Sequence, residues 1–479
     1  MTDPSFAKPQ ISVLRQNQIE RIHDLSLQVL EKVGMQLDSE QYLHLLKKKL
    51  GKGQIQGEKV HFPPDVVEWA IEVAPPTIEI FNRKGDPAFT LGNDETRFGV
   101  GVPTLFYMQA ATDEITPFQR QHMREASRLG DILISFDVVS TLGILHDCPP
   151  HLADLYGTLE MFTNTTKPLV ILVSESNAFA IILDMLEELQ GDLQSKPFIL
   201  PYFNPITPLL INQSTAEKML VAIERQLPFI FSSYGMLGAT TPITTIDTLV
   251  LLNAEMLAGL TLTQLVRERA PIILGPMPAY FDMRTMLSYY DPLSMLLNLA
   301  FAELLAYYGI PHCGTSGSTT GWGPDIVATR EMMMNQISSL MGKAGLAPFV
   351  GSLFDSKVLS PVNMVHADEI IAKARRFSEG FSTLTDESAL RELLQVGPGG
   401  NFLTAERTLT LFRAATQHSE IFPRWDLEKW QEAGEPQYLN FLKEHTLDLI
   451  NTLETPSDYE DLRQRGEEFI QGHAQKLKP

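Results

Sequence analysis

Eight short, β-prone apolar runs, each followed by a longer stretch with helical spacing, constrain this chain more than any other feature. They are TRFGVGV (96–102), FDVVSTL (136–142), PLVILV (168–173), FILPYF (198–203), PFIFSS (228–233), PIILG (271–275), IPHCG (310–314) and LAPFVGS (346–352). Seven helical patterns lie between them, at 118–130, 150–163, 178–190, 214–226, 246–266, 292–308 and 325–343, and an eighth follows at 366–379. The runs are nearly continuous in apolar residues and do not alternate, as expected of parallel strands covered on both faces. Eight β-α units at about 30–43-residue spacing predict a (β/α)8 TIM barrel rather than an open doubly wound sheet. No GxGxxG opens a helix after the first run and no GxxxxGK[ST] occurs, so nucleotide-binding folds find no support.

The barrel is expected over 96–380. Before it, 1–95 reads as an N-terminal extension, with helices at 18–34 and 39–50 and a β-hairpin at 77–91 turning at Arg83-Lys84-Gly85-Asp86. After it, 381–479 reads as a charged helical extension that serves packing or oligomer contacts, so a homo-oligomer is expected. With 44% AVILMFWYC residues the chain has ample material for a large core. A formal net charge of −20 argues against nucleic acid or an anionic membrane as a partner. Two cysteines in 479 residues cannot form a disulfide framework, the N-terminus has no apolar signal core, and no apolar run of membrane-spanning length is free of charge. A soluble cytoplasmic protein is the expectation.

In a barrel the chemistry sits at the C-terminal ends of the strands. The loops that fall there carry Phe106, Tyr107, Tyr234, Tyr280, Phe281, Trp322 and Phe354, but few carboxylates: Glu175, Asp282, Asp325 and Asp355. Such an aromatic ring with scattered acids suits a weakly hydrated cation such as a quaternary ammonium, each ring face contributing ~0.5–2 kcal/mol. The bland alternative is that many of these rings only plug the barrel mouth, since aromatics dominate cores through area alone. Tyr107, Tyr234, Trp322 and Phe354 are the candidate cage, with Ser316 beside them. Asp325 would contact or orient the cation, although capping of the next helix explains an Asp after Gly-Pro equally well. Arg284 would clamp a substrate carboxylate, or pair with Asp282 or Asp291. His146, Cys148, His151, His312 and Cys313 raise a zinc site, but HDCPPH is not a recurrent zinc spacing and adjacent strand residues point to opposite faces. No metal is expected. Nor does a nucleophile elbow, GxSxG, appear.

The chain resembles the trimethylamine methyltransferase family of corrinoid-dependent methylamine methyltransferases, and within it the members that lack pyrrolysine, the betaine:corrinoid methyltransferases. The matching pieces run from about 18 to 380: QIERIHDLSLQVLEKVGM, DEITPFQRQHMREASRLGD, NTTKPLVILVSES, NPITPL, GMLGATTPITTIDTL, AEMLAGLTLTQL, PIILGPMPAYFDMRT, AELLAYYGIPHCGTSGS and PDIVATREMM. The STTGWG run within 314–325 departs from the family's usual pattern, which bears on the substrate and not on the fold.

The resemblance implies a (β/α)8 barrel that passes a methyl group from an N-methyl substrate to Co(I) of a corrinoid (cobalamin) carried by a separate protein, with no tightly bound cofactor of its own. It also narrows the substrate. A neutral tertiary amine is a poor methyl donor without help, whereas a quaternary ammonium releases a neutral amine. Glycine betaine comes first, with proline betaine, carnitine or choline relatives behind it. Two alternatives remain: a zinc-assisted corrinoid methyltransferase, and a betaine-binding barrel that has lost transfer.

Overall fold

The computed structural model describes residues 5–93, 95–314, 317–342, 344–384, 387–416 and 418–477. Seven parallel strands form its centre: β1 (Arg97–Val100), β2 (Val138–Ser140), β3 (Leu169–Ile171), β4 (Ile199–Phe203), β5 (Phe229–Phe231), β6 (Ile272–Leu274) and β7 (Leu346–Val350). Each pairs with the next in chain order from β1 to β6, and β7 pairs back with β1. The remaining gap is spanned by two residues. His312 bridges Leu274 of β6 and Cys313 bridges Leu346 of β7, both in parallel sense. Cys313 N–H donates to Leu274 O at 2.8 Å and Leu346 N–H to His312 O at 2.9 Å, which closes a (β/α)8 ring.

The run at 310–314 thus takes the seventh position as predicted, but as two bridges and not as a regular strand. Pro311 supplies no ladder donor. The neighbouring backbone also comes unusually close: a Cβ on Gly275 would lie 1.1 Å from Cys313 O, so only glycine fits there.

Eight helices cover the ring: α1 (Arg120–Ile132), α2 (Ala153–Asn164), α3 (Ser176–Gln190), α4 (Gln213–Glu224), α5 (Thr245–Val266), α6 (Pro292–Tyr308), α7 (Ile326–Met341) and α8 (Pro361–Glu379). Seven lie within a few residues of their sequence patterns. The eighth begins five residues earlier than expected, because Ser360 caps it by accepting from Asn363 N–H and Pro361 suits its first turn. The apolar α5 is long enough to cross a bilayer, yet 83% of its apolar window is buried inside the protein. The N-terminal helices Gln16–Lys32 and Pro64–Val73 pack on it, the second of them unforeseen in the sequence.

Strand alternation splits the core into two layers. Val138, Val170, Leu200, Ile230, Ile273, Cys313 and Leu346 point into the barrel, while Val139, Leu169, Ile199, Phe229 and Ile272 face the helices. The hairpin Ile78–Phe81/Pro87–Leu91 adds Ile78, Ile80, Phe89 and Leu91 to the interior cluster. Its backbone is tied to residues just before β4 and β3, Phe81 N–H to Pro197 O and Arg83 N–H to Thr166 O, both 2.9 Å. It therefore plugs the N-terminal end of the barrel.

The C-terminal end is built differently. Beyond β5 and β6 the chain continues as a small sheet in which Tyr234–Leu237 pairs with Met277–Asp282, which pairs in turn with Leu287–Tyr289. Beyond β7 and β1, the strands Ser352–Leu353, Val358–Leu359, Phe106–Met108 and Ile115–Pro117 form a second one. These two sheets are lips on either side of the barrel mouth.

Candidate active site at the barrel mouth

The floor of the mouth comes from the next inward positions of the same strands. Two residues beyond Val170 and Leu200 stand Leu172 and Tyr202, and Val102, Met277, Phe349 and Tyr234 complete the layer. The Tyr202 and Phe349 rings meet edge to face, with centroids 4.9 Å apart, and the Tyr202 hydroxyl lies 3.8 Å from the Met277 sulfur. Burial, reinforced by the nearby Cys313 thiol, holds the Tyr202 hydroxyl well above its ordinary pKa against the opposing bonds of Ser232 and Asn204. It stays neutral at any ordinary pH. Asn204 is itself fixed by donating to Ser232 O at 2.7 Å.

A carboxylate stands at the wall. Asp355 is half-buried, and its Oδ2 accepts from Ser288 Oγ at 3.1 Å, a bond that joins the two lips. Burial pushes its carboxyl pKa up, while Ser288 and the Lys357 charge pull it down. The Tyr234 hydroxyl is likewise raised by burial and by the Asp355 charge, and lowered by bonds from Ser288 and Tyr290.

The backbone that presents Asp355 is strained. Phe354, Asp355 and Ser356 have φ of 51°, 54° and 67°, three successive non-glycine residues in the left-handed region, each costing of order 1–3 kcal/mol. The turn is held by Phe354 N–H to Gly321 O at 3.0 Å and Asp355 N–H to Thr319 O at 2.9 Å. The 317–321 segment is held in turn by Glu331, which accepts from Thr320 N–H and Oγ1 at 2.8 and 2.9 Å. Bonds from a neighbouring segment thus hold the strained turn in one conformation.

The residues singled out in the sequence are scattered by the fold. Tyr234 stands on the mouth wall, and Phe354 lies half-buried in the strained turn. Asp325 caps α7: Oδ1 accepts from Val327 and Ala328 N–H at 2.8 and 2.9 Å, and Oδ2 from Trp322 N–H at 2.9 Å. Trp322 is 76% exposed on the rim. Arg284 is exposed at the tip of the hairpin lip, where its backbone N–H donates to Asp282 at 2.8 Å. Tyr107 is fully buried under the other lip, stacked on His122 with centroids 4.2 Å apart and hydrogen-bonded to Glu125. Ser316 lies outside the described residues.

Tyr202, Met277, Phe349, Ser288 and the wall role of Asp355 were missed. For Tyr202 the signal was present: in FILPYF it follows inward Leu200 by two residues, one step nearer the C-terminal end. Asp355 sat among the strand-end carboxylates, but nothing in LFDSK announces three left-handed residues.

An aromatic, thioether-lined floor with neutral hydroxyls and one half-buried carboxylate can hold a small cation and exclude water from it. Around it, Ile144, Ile206, Ile243, Met283 and Trp322 on loops at the strand ends, and Ile326 at the start of α7, are exposed, which suits docking of a second protein over the mouth.

Comparison with known proteins shows the family. A family model described as trimethylamine methyltransferase (MTTB) matches residues 3–477. The chain is 26% identical over 436 residues to the trimethylamine methyltransferase MttB of Desulfitobacterium hafniense, covering 90% of this chain and 87% of that one. It is 25% identical to a glycine betaine methyltransferase of the same species, covering 84% of each chain. With the proline betaine:corrinoid methyltransferase of Eubacterium limosum it shares 24% identity over 88% of this chain and 87% of that one. Among solved structures, the monomethylamine methyltransferase of Methanosarcina barkeri superposes with a TM-score of 0.54, at 9% identity, over 92% of this chain and 88% of that one. At that identity the likeness shows the fold alone.

Proposed function

The chain belongs to the trimethylamine methyltransferase family and is a methyltransferase, and from that premise we propose that it demethylates a quaternary amine, passing the methyl group to a corrinoid held by a separate protein. Glycine betaine or a related betaine is the substrate this reading favours. The observation that carries it is the half-buried Asp355 carboxylate, whose charge acts on Tyr234, a ring that packs on the aromatic floor of Tyr202 and Phe349.

The corrinoid, when its carrier is docked, supplies the nucleophile that accepts the methyl group. The exposed apolar residues at the strand ends would receive that carrier. This chain's residues bind and orient. Asp355 offsets the ammonium charge, and the rings of Tyr202, Tyr234 and Phe349 replace its weakly held water. Breaking the C–N bond leaves its electron pair on nitrogen and releases a neutral amine, so no side chain need deliver a proton. The polarity of the site matches that need, since the hydroxyls of Tyr202 and Tyr234 are kept neutral. Fixing one methyl group in line with the open mouth is worth a large part of the barrier, because oriented reactants avoid the entropy of encounter. The two free cysteines, Cys148 and Cys313, suit the reducing cytoplasm that a reduced corrinoid requires.

Incubation with a reduced corrinoid protein and a panel of glycine betaine, proline betaine, carnitine and choline tests the proposal, with the demethylated amine followed by mass spectrometry. One member of the panel is expected to be consumed. Tight binding without product would leave a betaine-binding barrel. Consumption that requires stoichiometric zinc would favour metal-assisted transfer.

A further inference from the structure

Among the described residues two acids are completely buried, Glu160 and Glu255, and they are satisfied in opposite ways. Glu160, on α2, lies between two guanidinium groups, Arg120 at 2.7 Å and Arg124 at 3.1 Å. Glu255, on α5, has no cationic partner among the described residues. Its Oε1 accepts from Leu209 N–H at 2.6 Å and its Oε2 from Thr207 Oγ1 at 2.9 Å. Burial pushes its carboxyl pKa up, and the bonds of Leu209, Ser233 and Thr207 pull it back. A buried acid is ordinarily matched by a positive charge, because neutral donors offset only part of the cost of taking it out of water.

The donors show what this acid faces. Thr207 and Leu209 belong to the connection that leaves β4, and Ser233 follows β5. Strand alternation turns Ser233 toward α5 and its neighbour Tyr234 into the mouth, where Tyr234 packs on the floor layer. At the start of the same connection Asn204 donates to Ser232 O at 2.7 Å, which ties the two strand ends together. Leu209 is held at a φ of 57°, in the left-handed region, with its N–H on Glu255.

Glu255 therefore stands behind the β4–β5 side of the mouth. Asp355 follows β7, the eighth stave of the ring. In a ring of eight the fourth and eighth staves are opposite, which is how Tyr202 of β4 meets Phe349 of β7 across the floor. A cation held over that floor has a carboxylate on either side. The protein interior also carries the effect of a charge further than water does.

We propose that Glu255 is a positioning residue for the quaternary amine: it holds the Tyr234 wall from behind, and the substrate ammonium is its missing counter-ion. The proposal rests on the reading of the mouth as the quaternary-amine site and adds a second carboxylate to it.

Isosteric ligands separate the charge from the scaffold. Calorimetry of the full chain, without the corrinoid protein, would compare glycine betaine with the anion of tert-butylacetic acid, in which carbon replaces the nitrogen. Choline would be compared with its carbon isostere in the same way. The wild type is expected to prefer the ammonium member of at least one pair. Glu255→Gln is expected to reduce that preference by about three- to thirty-fold, and Glu255→Asp to retain most of it while losing stability. An unchanged preference in Glu255→Gln, whether or not both affinities fall, makes Glu255 a scaffold residue only and overturns the proposal. So does a folded Glu255→Asp that loses the preference. Either result leaves the quaternary-amine reading standing. A wild type that shows no preference for an ammonium removes that reading and this proposal together.

Discussion

The two ends of the barrel are made by the same strands and look nothing alike. At the N-terminal end, Val138, Val170, Leu200 and Ile230 close over the hairpin residues Ile78, Ile80 and Phe89. One inward position further along, Leu200 gives way to Tyr202 and Ile230 to Ser232, and the column opens between two lips joined by Ser288 and Asp355. A plugged end carries stability and an open end carries chemistry, and a barrel separates them by about two residues of strand, roughly 7 Å. Substitutions at the plug should therefore act on folding and leave binding intact, and those at the mouth should do the reverse.

The largest effect is expected at the plug. Ile80 is completely buried, and Ile80→Ala should cost about 2–5 kcal/mol of stability in a urea titration. The amine affinity of the folded protein should not change. Next comes Asp355→Asn, expected to weaken binding of a quaternary amine by about ten- to thirty-fold, ~1.4–2 kcal/mol in calorimetry, with a smaller change in stability. A loss of stability that exceeds the loss of affinity would erase the contrast between the ends.

Much of this division is legible in the sequence, and its limits have physical causes. The eight runs place every stave of the barrel because parallel strands buried on both faces must be apolar throughout. The hairpin at 77–91 is equally visible through its turn residues, although nothing in its alternation says that it fills a barrel. The mouth is harder to read. Tyr107 and Trp322 have the residue types of a cation cage, but one is buried under a lip against His122 and the other is exposed on the rim. The sequence favours Asp325 as the acid at the cation and offers Asp355 only as one of four strand-end carboxylates. Only the cap on α7 and the strained turn at 354–356 tell them apart.

Smaller effects sharpen the same contrast. Tyr234→Ala should weaken amine binding by ~0.5–2 kcal/mol, the worth of one ring face. The affinity should also depend on pH through Asp355. Its carboxyl pKa is raised by burial, so the charged form that meets the cation is lost earlier as pH falls. Affinity is expected to decline on acidification from a higher pH than an unperturbed aspartate would give, and to be flat in Asp355→Asn over the same interval. Smallest of all, Trp322→Ala should change amine affinity by less than ~0.5 kcal/mol, as befits an exposed side chain. It should appear instead as a higher KM for the corrinoid protein.

The most direct test is a crystal structure of the protein soaked with glycine betaine and, separately, proline betaine. A trimethylammonium or dimethylammonium group lying between the rings of Tyr202, Tyr234 and Phe349, within reach of Asp355, is the expected result. A betaine bound elsewhere at full occupancy, with the mouth occupied only by solvent, would contradict the assignment of the open end as the place where the methyl group is held.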